Sequence, residues 1–252
     1  MMTQIAWKVY HYCNLFVPKI VFTPRRRRMN HAILEPRLLK IANEIVDWAR
    51  SALTTENPEV KRPYSNNQTV CPFVRESLDR NLFYQAFHPH IGADTTSIER
   101  IVLGYIEEFK RLQPFDPHMR FKKALLIVFP DIPDTQVNVL DLVHETTKTA
   151  YVQAGLMIGQ FHPKCDVKGI HNPMFRAARA PYPLMAIRNM EVHDIVFLSD
   201  GKNLDWFAEY NARYGEGFKD PEKFDDKSKA LFSYYQKARE AYLRKAPQVT
   251  PA

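Results

Sequence analysis

Apolar residues recur at helical spacing at Leu34, Leu38, Ile41, Ile45, Trp48 and Ala52, with charged residues between them. Steps of three and four put them on one face, which predicts an amphipathic helix across residues 34–52. The same period returns at Ile98, Ile101, Val102, Tyr105, Ile106 and Phe109. Ahead of it, Asp94-Thr95-Thr96-Ser97 reads as a helix start. Thr96 and Glu99 stand at the spacing of a capping box, in which two side chains satisfy free amides of the first turn. A third helix is expected over 137–154, stopped by Gly155. Polar amphipathic helices are expected at about 203–213 and 221–244.

Between these lie apolar runs of strand length. They are 82–87, 124–129 (ended by Pro130), 156–161 and 194–198. Residues 183–190 read as a short helix. Residues 56–68 are polar, contain Pro58 and Pro63, and read as a loop. Helices alternating with strands predict an α+β (mixed α/β) fold, a single central sheet covered by helices. The expected organisation is one domain over 29–252, preceded by a basic, disordered extension at 1–28.

Charge sharpens that division. The chain of 252 residues carries a net charge of +7. Residues 1–34 hold no acid and six bases: Lys8, Lys19, Arg25, Arg26, Arg27 and Arg28. Without them the remainder has 35 − 6 = 29 bases against 28 acids and is nearly neutral. No basic face with interleaved aromatics stands out in it, so nucleic acid is not the expected partner. The apolar stretch from residue 15 to 22 is broken by Pro18 and Lys19, too short to span a bilayer. Its arginines follow the apolar part, the wrong order for a secretory signal. Three cysteines, Cys13, Cys71 and Cys165, make no framework of pairs, and a reducing cytoplasm is the expected compartment.

Two Phe-His-Pro tripeptides carry the candidate chemistry, Phe87-His88-Pro89 and Phe161-His162-Pro163. The second closes the apolar run 156–161, so His162 stands at the mouth of an expected buried strand. Neutral imidazole ligates iron, zinc or copper and is the usual proximal ligand of haem. The following residues, 164–183, lack apolar periodicity and contain His171, Arg176, Arg179 and Tyr182. Such arginines can clamp a carboxylate or haem propionates through paired hydrogen bonds. The bland alternative is a strand-capping histidine beside a solvated basic loop. His88 and His90 straddle Pro89, and in extended backbone they share one face, so with His162 they could form a non-haem metal site. A turn with exposed histidines explains the same residues. Cys71, before Pro72, could be a nucleophile with His88 or His162 as base, or a small buried core thiol. No HExxH, dinucleotide loop, P-loop or nucleophile elbow is present.

The order of these motifs resembles a group of poorly characterised bacterial families. The shared pattern is Cys71-Pro72-Phe73, then Gly155 to Pro163, then Asn172-Pro173, then Pro181-Tyr182-Pro183-Leu184 with Arg188. More distantly the chain is similar to the YqcI/YcgG family, some of whose members are haem-dependent N-oxygenases of amino acids. That resemblance implies His162 as haem ligand, with Arg176, Arg179, Arg188 and His171 beside the cofactor and His88 as a distal catalytic partner. It implies an amino-acid-like substrate carrying a carboxylate. The chain departs from that family just after His-Pro, where it has Lys164-Cys165-Asp166. A non-catalytic binding domain with structural histidines remains the alternative from another class.

Overall fold

The computed structural model describes residues 19–20, 35–54, 70–169, 174–199, 203–220, 222 and 229–245. Strand β1 (Lys19–Ile20) is followed by helix α1 (Pro36–Trp48), which runs on through a wider turn, Ala49–Leu53. Then come α2 (Val74–Asp79), β2 (Phe83–Phe87), α3 (Thr95–Arg111) and β3 (Ala124–Val128). Helix α4 (Val139–Gln153), β4 (Leu156–Phe161) and β5 (Leu184–Asn189) complete the central part. Helices α5 (Ile195–Leu198), α6 (Leu204–Tyr214) and α7 (Lys229–Lys245) close the described chain. No helix among the described residues is long and apolar enough to cross a membrane.

The fold is α+β. The sheet has the order β1-β2-β3-β5-β4. Strands β1, β2 and β3 are parallel, and β5 runs antiparallel to both β3 and β4. Strand β4 therefore points the same way as β2 and β3, so the chain leaves all three at one end of the sheet. Both Phe-His-Pro tripeptides sit at that end.

Alternation along the strands separates two cores. Tyr84, Ala86, Leu125, Ile127, Leu156, Ile158, Met185 and Ile187 face α3 and α4. Phe83, Leu126, Val128 and Leu184 face the layer built from α1 and α2. Leu38, Ile41, Ile45 and Val46 are buried there, at the spacing read from the sequence. Each such side chain, fully buried, contributes about 1.5–3 kcal/mol. A third cluster joins α5, α6 and α7 through Val152, Met157 and Met190.

Three expectations are corrected. Residues 183–190 hold strand β5 (Leu184–Asn189), not a helix. Leu, Met, Ala, Ile and Arg are all competent helix formers, but this segment is gripped between β3 and β4 and buried on both faces. Residues 194–198 form a helical segment in place of a strand, with Ile195 and Leu198 on one side in the third core. The cap of α3 is Asp94, whose carboxylate accepts from the Ser97 amide at 3.1 Å, in place of the Thr96–Glu99 box. Within the stretch expected to be disordered, Lys19–Ile20 pair with β2; the rest of residues 1–28 lies outside the described residues.

Candidate metal centre

Helix α4 begins at Val139 and carries Asp141 in its first turn, where the helix dipole favours an acid. Leu140, Val143, Thr147 and Tyr151 bury against the sheet, leaving Asp141 at the boundary with its side chain 41% exposed. The helix ends where Gly155 takes φ +75, a left-handed value that glycine adopts without strain. The chain turns at once into β4. Leu156, Ile158 and Gln160 alternate onto the α4 side, and His162 continues that face one residue beyond the strand. Gln160 Nε2 donates to Asp141 Oδ1 at 3.1 Å, and His162 Nε2 lies 3.3 Å from the same oxygen.

His162-Pro163-Lys164-Cys165 is a tight turn, closed by the Cys165 amide donating to the His162 carbonyl at 3.1 Å. Proline at its second position presets the backbone angle such a turn needs. The turn folds the Cys165 thiol back beside the imidazole. One donor atom each from Asp141, His162 and Cys165 lies within 4.8 Å of the other two. His162 is 2% exposed and Cys165 is fully buried. Burial pushes the Cys165 thiol above its ordinary range, so without a metal it is protonated at neutral pH. His162 Nδ1 is buried and makes no hydrogen bond among the described atoms.

The described residues on either side of 170–173 are tied to the turn after His162. The His162 amide donates to the Ala178 carbonyl at 3.2 Å. Arg179 donates from Nε to the Cys165 carbonyl at 3.1 Å and from its terminal nitrogen to Asp166 at 2.7 Å. Arg176 Nε stands 3.7 Å from the same carboxylate. These two arginines hold the turn bearing Cys165. His171 lies outside the described residues.

Other expected site residues fall elsewhere. His88 leaves β2 at the same sheet end as His162, but two strands intervene, which separates their backbones by roughly 14 Å. Its Nε2 is 2.8 Å from the Tyr105 hydroxyl, and its ring stacks on Phe129. Burial pushes its pKa down to about 4, so it is neutral at pH 7. His90 adopts φ +63, and its amide donates to Asp131 at 2.7 Å, leaving a ring 85% exposed. His88 and His90 therefore do not share a face as they would in extended backbone, and neither meets His162. Cys71 packs in the α1–α2 layer, on the sheet face opposite His88 and His162, shortly before α2. Arg188 points to that layer too, near the far end of β5. It grips Asp194 with two nitrogens, the longer contact 2.8 Å, and lies over the Phe73 ring at 4.5 Å. Burial works against its charge, but Asp194 outweighs this and raises its pKa. Arg188 is thus a half-buried partner of the buried Asp194, remote from His162.

Asp141, Gln160 and Cys165 escape the sequence reading. Cys165 had a signal, the His-x-x-Cys spacing that one turn can close over a metal. Asp141 had none, since an acid in a first turn is expected of any helix.

A family model described as a domain of unknown function, DUF6875, matches residues 42–225. The chain belongs to the DUF6875 family. No curated protein and no solved structure matches it. The DUF6875 span holds Asp141, Gln160, His162 and Cys165 together with both arginines of the loop, whereas α7 lies beyond it.

Proposed function

We propose that this DUF6875 chain is a metal-dependent enzyme whose single ion is held by His162 and Cys165 beside Asp141. The observation that carries this reading is the buried Nδ1 of His162, which has no hydrogen-bond partner while Nε2 faces a carboxylate. A buried polar atom without a partner costs about 1–3 kcal/mol. An ion at that nitrogen, shared with the neighbouring thiol, removes the cost. Imidazole and thiolate are borderline-to-soft donors, suited to zinc or ferrous iron. Bound there, the ion supplies Lewis acidity to a small molecule.

The position supports the reading. Ligands of open sheets gather outside the carboxyl ends of parallel strands, where β2, β3 and β4 all end. Asp141, next to the two donors, is part-exposed on α4. Arg176 and Arg179 maintain the Cys165 turn through Asp166, so a substrate carboxylate would have to compete with Asp166 for them.

A haem-dependent N-oxygenase is the second reading, favoured by the order of motifs from Cys71-Pro72-Phe73 to Phe161-His162-Pro163. As folded, this surround does not fit a haem. Donor atoms of Asp141 and Cys165 already stand within 4.8 Å of a His162 ring nitrogen, and Arg188, expected at a propionate, is paired with Asp194 on the other sheet face. An absorption spectrum separates the two readings. Protein produced with a haem precursor shows no Soret band if the single ion is correct, and binds one zinc or iron per chain. A Soret band that disappears in His162→Ala overturns the single-ion reading in favour of haem.

A further inference from the structure

We infer that Asp141 is a positioning residue and not a ligand: it fixes the tautomer of His162, so that Nδ1 and the Cys165 sulfur are the pair facing the metal. The inference rests on the metal reading above and assigns roles within that site. Asp141 Oδ1 receives two nitrogens, the Gln160 amide at 3.1 Å and His162 Nε2 at 3.3 Å. A carboxylate oxygen only accepts and an amide NH2 only donates. The neutral imidazole must therefore carry its proton on Nε2, which leaves the lone pair on Nδ1. That is the nitrogen buried without a partner. Metal-bound histidines recurrently donate their other ring N–H to a carboxylate, which sets ring orientation and raises basicity.

Gln160 belongs to the same device. It stands two residues before His162 on the same strand face, so both side chains reach α4 together. Its amide holds the oxygen to which the imidazole is bonded, and the carboxylate then has one orientation. Two protein donors, Nδ1 and Sγ, leave the remaining coordination positions for water or substrate.

Titration of the full chain with Co2+ tests this, following both the dissociation constant and the sulfur-to-cobalt charge-transfer absorption. Asp141→Asn keeps a carbonyl that accepts from Nε2, so its affinity is expected to stay within about tenfold of the parent, with the band shape unchanged. Asp141→Ala and Gln160→Leu are each expected to weaken binding by about 10–100-fold. Cys165→Ser is expected to lose the charge-transfer band. Asparagine behaving like alanine, with an altered spectrum, would make Asp141 a ligand and overturn the assignment. So would unchanged affinity in both Asp141→Ala and Gln160→Leu. If the parent chain binds no cobalt, the metal reading itself fails. Gln160→Leu leaves every proposed donor in place and tests the positioning role even if Asp141→Ala does not fold.

Discussion

The imidazole of His162 and the carboxylate of Asp141 meet 3.3 Å apart although 21 residues separate them in the chain. One comes from the end of β4 and the other from the first turn of α4. Gly155 joins helix to strand with no connecting loop, so the helix packs back along the strand and its first turn arrives at the strand's last residue. The contact is a consequence of that turn. It gives a buried imidazole one satisfied nitrogen and one unsatisfied nitrogen, beside a buried thiol.

Metal binding is expected to strengthen with pH. Burial raises the Cys165 pKa above the ordinary 9.0, so binding at neutral pH must expel the thiol proton. Affinity should rise about tenfold per pH unit between pH 6 and 8, read by zinc titration with a competing chelator. A flat profile would mean that the sulfur is not a donor. The metal-free chain carries the opposite linkage. A raised native thiol pKa contributes stability below pH 9, which is lost as the pH climbs through the native value.

Acid should destabilise the fold well before its carboxylates titrate. Burial holds His88 and His144 at about 4, against an ordinary 6.5. In both cases the native pKa is depressed, so the unfolded chain takes up protons first. The contribution is whole above pH 6.5 and is lost as the pH falls towards 4. By linkage it is on the order of 2–3 kcal/mol per histidine. Urea midpoints at pH 7 and pH 5 measure it, and equal midpoints would mean that these rings are not buried.

The Arg188–Asp194 pair should matter for stability and not for the metal. Arg188→Met leaves Asp194, which is 1% exposed, without its partner. The expected cost is about 3–5 kcal/mol. Zinc affinity of the folded variant should match that of the parent, because the pair sits on the other sheet face at the far end of β5. A large loss of affinity without loss of stability would place Arg188 at the site after all.

The fold was legible where apolar periodicity and position agreed. The faces of α1 and α3, the run that becomes β3 and the turn at Gly155 could all be read from residue order. Strand β5 could not, because its residues favour a helix and only the grip of β3 and β4 overrides them. At the site, His162 was legible as a histidine closing an apolar run. Asp141 was not, since its role exists only once α4 folds onto β4. Arg188 misled for the opposite reason: an arginine on an expected short helix after the basic loop and an arginine on a central strand look the same until the strand is placed. Cys165 was visible all along as the third residue after His162, but it was read as a departure from a resembled pattern and not as a donor.

Metal content tests the central claim most directly. Purified chain would be exchanged free of metal, loaded with zinc, and assayed for bound metal alongside His162→Ala and Cys165→Ser. One zinc per parent chain is expected, with binding lost or weakened by at least about a hundredfold in either variant. Parent protein that is folded but holds no metal, or variants that bind as well as the parent, would contradict the account.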